Sequence, residues 1–147
     1  MTYEVEIGER GNPVRGKFPK DVSIAGLGSA IGVIIYDAGS KKSFPIHLTS
    51  PDIYEDDRFE EMLAEAASEL EGSESVVVMA TGACIGSELG PAEALQKRNH
   101  VDQVLGAFFP LATMNVLWPP DGVESTSITL DPQTGEFRFE HQPVPAS

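Results

Sequence analysis

The chain has 147 residues, enough for one domain with a sizeable core, and its 41% hydrophobic and 22% charged residues, with 14 Gly and 11 Pro, are an ordinary globular composition with many turns. A formal net charge of −13 sets up a field that repels phosphate backbones and anionic lipid surfaces, so neither nucleic acid nor membrane is expected as a partner. The start Met1–Glu6 lacks the basic and apolar regions of a signal peptide, no later apolar run approaches a membrane span, and the single cysteine, Cys84, excludes an internal disulfide, so a cytoplasmic address is expected.

Tyr3, Val5 and Ile7 alternate with Thr2, Glu4 and Glu6, the period of a strand with one buried face. From Arg10 to Lys20 the segment is broken by Gly and Pro and carries Arg10, Arg15, Lys17 and Lys20, which reads as an exposed loop. Such a basic cluster in an acidic protein could dock an acidic partner, but a solvated loop is the simpler reading and no function is assigned to it. Val22–Ala25 and Ala30–Tyr36 are apolar runs rich in β-branched residues, predicting two buried strands with Gly26-Leu27-Gly28-Ser29 as the turn between them. Ser43–Leu48 is a further strand, reached through the turn Asp37-Ala38-Gly39-Ser40, with His47 near its end.

Asp57–Leu70 is the clearest helix, since Phe59, Met62, Leu63, Ala66, Ala67 and Leu70 share one stripe, and Gly72 stops it. Its other face carries Glu60, Glu61, Glu65 and Glu69, a solvated surface and not a cation site. Val76–Met79 predicts another buried strand. Pro91 opens a second helix to about Phe108, with Leu95, Val101, Val104, Leu105 and Phe108 expected inward. After Pro110 come a strand-like run to Trp118, the turn Pro119–Gly122, and a hairpin in which Ile128 and Leu130 pair with Phe137 and Phe139 across Asp131–Gly135. The tail from 142 to 147 is expected to fray. The order of strands and helices implies one mixed α/β domain spanning 1–147.

Familiar catalytic motifs fail on their own terms. A dinucleotide fingerprint begun at Gly26 and Gly28 would need a third glycine where Ile31 stands, and a helix where Ala30–Tyr36 reads as strand. A nucleophile elbow centred on Ser29 would need glycines at the positions of Leu27 and Ile31. His47, His100 and His141 have no ligand spacing with Cys84 or with one another, so no metal and no cofactor is expected.

A more specific string remains: Gly26-Leu27-Gly28-Ser29-Ala30-Ile31-Gly32-Val33, then Tyr36-Asp37, with His47 seventeen residues after Ala30. It resembles the G-L-G-S-C-V-x-V segment of the chemoreceptor glutamine deamidase (CheD) family and the histidine that follows at the same distance. Ser127–Gly135 looks like that family's final hairpin, Thr81-Gly82-Ala83 like its G-G-A turn, and Arg98-Asn99 like its R-N pair within a helix, so weak matching spans about positions 22 to 140. The resemblance implies β-sandwich-like mixed sheets flanked by helices, as in the CheD and cytotoxic necrotizing factor catalytic domains.

It also implies a chemistry. The family's cysteine, held near the histidine at a tight turn, attacks a glutamine carboxamide as thiolate; ammonia leaves, and water cleaves the thioester to give glutamate. Turn amides, here those of Gly28 and Ser29, would stabilise the oxyanion. This sequence keeps the turn and His47, the position of the family base, but has Ala30 at the position of the nucleophile. The family threonine that partners the histidine is replaced by Ile24, and the family's G-G-N and following arginine by Asp121-Gly122-Val123 and Thr126.

Losses spread over Ile24, Ala30, Val123 and Thr126 favour natural divergence over one engineered Cys→Ala change, which stays open as an alternative. Ser29 is a poor substitute nucleophile, since neighbouring side chains in an extended segment point to opposite sides. Cys84 is the alternative nucleophile, in a turn that the family places near its active region, although free cysteines are more often small buried hydrophobes. Two functions follow: a pseudoenzyme that binds proteins in bacterial-type chemotaxis or signalling, or a cysteine hydrolase of the glutamine deamidase type using Cys84 and His47. The partner expected is a protein of receptor or signalling type.

Overall fold

The computed structural model describes residues 2–4, 16–17, 21–28, 30–48, 58–84, 91–120, 122–131 and 133–143. The strands are β1 (Thr2–Glu4), β2 (Gly16–Lys17), β3 (Asp21–Leu27), β4 (Ile31–Asp37), β5 (Lys42–Leu48), β6 (Val76–Gly82), β7 (Thr113–Val116), β8 (Val123–Leu130) and β9 (Phe137–Pro143). Two helices, α1 (Arg58–Glu69) and α2 (Pro91–Phe108), lie between β5 and β6 and between β6 and β7. The fold is mixed α+β: a four-stranded sheet ordered β1-β3-β8-β9 and a five-stranded sheet ordered β2-β5-β4-β6-β7.

β4 organises the molecule because every one of its residues is buried, as a central strand with both faces covered requires. Ile31, Val33 and Ile35 join Phe44 and Ile46 of β5, Val78 and Ala80 of β6 and the apolar stripe of α1 in one core. Ile34 and Tyr36 turn the other way, toward Val22, Ile24 and Leu27 of β3 and Ile128 and Leu130 of β8. The second core lies between the two sheets, and the helices cover the far face of the larger sheet. Each fully buried Ile, Leu or Phe contributes on the order of 1.5–3 kcal/mol to this arrangement.

The α1 stripe is as its spacing predicts, with Phe59, Met62, Leu63, Ala66 and Leu70 buried and Gly72 following at φ +85°. The last hairpin also has the expected pairs, Ile128 opposite Phe139 and Leu130 opposite Phe137, closed by Gly135 at φ +81°. The Asp37–Ser40 turn is held by the Asp37 carboxylate, which accepts hydrogen bonds from Ser40 Oγ at 2.6 Å, Ser75 Oγ at 2.6 Å, Ser73 Oγ at 2.7 Å and the Gly39 amide at 3.2 Å. Burial alone would raise its pKa, but these donors together outweigh burial and hold the carboxyl well below the usual carboxylate range. The turn is thereby tied to the segment entering β6, a link of high sequence separation.

Four expectations need correction. Gly26 and Leu27 belong to β3, which continues through a bulge between Ile24 and Leu27, so the turn is shorter than the glycines suggest. Gly16 and Lys17, placed in a loop, pair with Ser43 and Lys42 as an edge strand; the other residues of 10–20 lie outside the described residues. Leu95 is 52% exposed, and the first half of α2 instead turns Ala94, Lys97 and Arg98 inward, because Arg98 finds hydrogen-bond acceptors in the core. Gln142 and Pro143, expected to fray, are part of β9, while 144–147 lie outside the described residues. Among the described residues, no helix is long and apolar enough to cross a membrane.

Candidate functional site

The turn between β3 and β4 and the end of β6 meet at one place. Ala83 donates its amide to the Ala30 carbonyl at 3.0 Å, and Cys84 donates its amide to the Gly28 carbonyl at 2.8 Å. Close approach explains the glycine that precedes them. Gly82 has φ +124°, and a Cβ there would stand 2.3 Å from the Ala30 carbonyl oxygen and 2.9 Å from the Ile31 Cα. Ala83 follows at φ +47°, a left-handed conformation uncommon outside glycine, so the strand ends in two consecutive positive-φ residues packed on the 28–30 segment.

Ile24, Ala30 and His47 are brought together around Gly32. Gly32 pairs with His47 across β4 and β5, and Ala30, two residues before Gly32, contributes to the core on the same face. Ile24 approaches from the opposite sheet: its Cγ2 would be 3.0 Å, and Leu27 Cδ1 2.8 Å, from a Cβ placed on Gly32. The absence of a side chain at Gly32 is what lets β3 pack this deeply. Two aliphatic groups fill the space over Gly32, and Ala30, at 7% exposed, offers only a methyl group to the inter-sheet core.

On the other side of Gly32 stands Thr81, its partner across β4 and β6. Thr81 is fully buried, and its Oγ1 has no hydrogen-bond partner among the described residues. An unsatisfied buried hydroxyl costs on the order of 1–3 kcal/mol. Thr81 and His47 thus flank Gly32 on one face, two polar side chains around an apolar plug. Sequence reasoning placed Thr81 in a turn and missed its role, although the alternation Val77, Met79, Thr81 puts it on the inter-sheet face once β6 is extended.

Cys84 is fully buried, with its Sγ donating to the Leu27 carbonyl at 3.2 Å. Burial pushes the thiol up to about 11, outweighing the opposing pull of the Arg98 guanidinium. The thiol is close to the turn but in a setting that opposes thiolate formation. Arg98 itself donates from Nε and Nη2 to the Ala83 carbonyl at 3.2 and 2.9 Å, and from Nη2 to the Pro119 carbonyl at 2.9 Å. Its guanidinium lies 5.9 Å from the Trp118 ring centroid, and Trp118 Nε1 donates to the Asp102 carboxylate at 3.1 Å. Arg98 therefore fastens the positive-φ turn to the segment leading into β8. Beside it Lys97 is 2% exposed, and burial pushes its ammonium down to about 8.

Val123 and Thr126, singled out in the sequence comparison with the CheD pattern, lie on β8. Val123 is buried, and Thr126, paired with Leu27, donates its Oγ1 to the Glu140 carbonyl at 2.9 Å and lies 2.8 Å from His141 Nδ1. Thr126 is thereby engaged in strand-to-strand contacts. Gly28 is half-buried at the turn, whereas Ser29 and Asp121 lie outside the described residues. No protein-family model and no curated protein matches the sequence.

Proposed function

We propose that this is a CheD-like protein without deamidase activity, acting as a protein-binding module in chemotaxis or signalling. The observation that carries this reading is the surroundings of Gly32: the positions of the family nucleophile, threonine and histidine, Ala30, Ile24 and His47, converge there, but two of the three are aliphatic. A methyl group has no lone pair with which to attack a carboxamide, and Ile24 cannot accept or donate a hydrogen bond to an imidazole. In a comparable nucleophile–base system, loss of the nucleophile lowers turnover on the order of a millionfold while leaving part of the binding contribution. A scaffold that keeps the turn but not the reacting atoms is suited to recognition.

A second reading, a cysteine hydrolase using Cys84 and His47, draws on the hydrogen bond between Cys84 and Leu27 at the same turn. Full burial and a raised thiol pKa weigh against it. Restoration tests the first reading. The Ala30→Cys/Ile24→Thr double variant is incubated with receptor cytoplasmic fragments and glutamine-to-glutamate conversion is followed by mass spectrometry. Conversion by the double variant and by neither single variant supports the assignment of positions 24, 30 and 47. No conversion by a folded double variant removes position 30 as the nucleophile position.

A further inference from the structure

At the end of the molecule where both helices finish, a half-open groove of about 300 Å³ runs between the segments that follow α1 and α2. Leu70, Phe108 and Phe109 are among its apolar walls, Leu111 stands at its lip 98% exposed, and Glu71 and Glu74 border it. An apolar side chain so fully in water on a turn beside an apolar groove has no role in the protein's own core.

The electrostatics of this end are one-sided. Both helices point their C-termini here, where aligned peptide dipoles leave partial negative charge that a lysine or arginine in the last turn ordinarily offsets. Neither α1 nor α2 has a basic residue in its last turn. Glu69 closes α1 instead, Glu71 and Glu74 follow it, all exposed, and among the described residues no basic one lines the groove. Two dipole ends and the Glu71 and Glu74 carboxylates, of the same sign, beside an apolar trough form a surface whose complement is cationic at the edge and apolar at the centre.

We infer that this groove docks a basic amphipathic segment of a partner protein, with a large apolar side chain in the trough and lysine or arginine over Glu71 and Glu74. A protein segment fits better than a small cation, because a small ligand within the groove would leave Leu111 in water, whereas a segment laid across it covers that side chain. The inference rests on the reading of the chain as a protein-binding module and names a surface for it, remote in sequence from Ile24, Ala30 and His47.

The probe is a fluorescein-labelled amphipathic peptide of leucine and lysine, read by fluorescence anisotropy, with the same peptide carrying glutamate for lysine as comparison. The lysine peptide is expected to bind saturably with one site and the glutamate peptide not at all. Leu111→Glu and, separately, Glu71→Lys/Glu74→Lys should each weaken binding on the order of tenfold. Glu124→Lys/Glu136→Lys, which makes the same charge change at exposed positions within β8 and just before β9, should alter it less than about twofold. Leu111→Glu adds negative charge, so attraction by charge alone would strengthen with it; weakening reads the apolar contact.

Absence of saturable binding overturns the inference. So does equal loss in both charge-reversal variants, or tighter binding by Leu111→Glu. None of these outcomes bears on deamidation by the restored Ala30→Cys/Ile24→Thr variant, so failure of the groove and failure of the functional reading are told apart.

Discussion

The Cys84 thiol donates to the Leu27 carbonyl oxygen at 3.2 Å, joining the segment after β6 to the end of β3. Burial raises the thiol pKa to about 11. Alkylation of Cys84 by iodoacetamide should therefore be slow in the native protein near neutral pH and fast once the chain is unfolded. Rapid native alkylation at neutral pH would reveal an activated thiolate and revive the hydrolase reading. The same shift carries a stability consequence. The folded pKa is raised above the ordinary thiol value of 9.0, so the contribution is complete below about pH 9 and is lost as pH rises toward 11.

Asp37 predicts the opposite limb. Its folded pKa is depressed, so its contribution is present above the ordinary value of 3.8 and is lost as pH falls below it. Asp37→Asn should cost roughly 2 kcal/mol at neutral pH, the scale of hydrogen bonds to a charged group. Urea titrations at neutral and acid pH should show that the gap between parent and variant shrinks on acidification.

Lys97 is 2% exposed with its pKa pushed down to about 8 from 10.5. Carrying fewer protons when folded, the parent should gain stability as pH rises from about 8 to 10.5 relative to Lys97→Met, which has no such group. A parent–variant difference that stays constant across this window would show that the ammonium is not desolvated.

Much of the fold is legible in the sequence because burial writes itself as periodicity. The α1 stripe, the β-branched run of β4 and the Ile128/Leu130 hairpin each follow one repeat, and each is found where its repeat places it. The inward face of α2 is not legible, since Lys97 and Arg98 are polar by type and only the carbonyls of Ala83 and Pro119, from distant segments, make Arg98 a core residue. Likewise Ile24, Ala30 and His47 are separate in sequence, and their convergence depends on Gly32, a residue whose importance is its missing side chain.

Gly82 and Gly72 separate close approach from conformational strain. Gly72→Ala meets nothing within 4 Å and should cost about 1–2 kcal/mol for its positive φ alone. Gly82→Ala adds a Cβ 2.3 Å from the Ala30 carbonyl oxygen and should cost roughly 3 kcal/mol or more, read as a larger fall in Tm. Equal losses would mean that the turn does not pack on the 28–30 segment as described.

The most direct measurement is the glutamine content of receptor cytoplasmic fragments after incubation with the unaltered protein, followed residue by residue by mass spectrometry. The proposed reading, which puts Ala30 where a nucleophile would stand and Ile24 over Gly32, predicts that no glutamine is converted to glutamate above the rate without protein. Conversion by the unaltered protein, abolished by His47→Ala, would contradict the account.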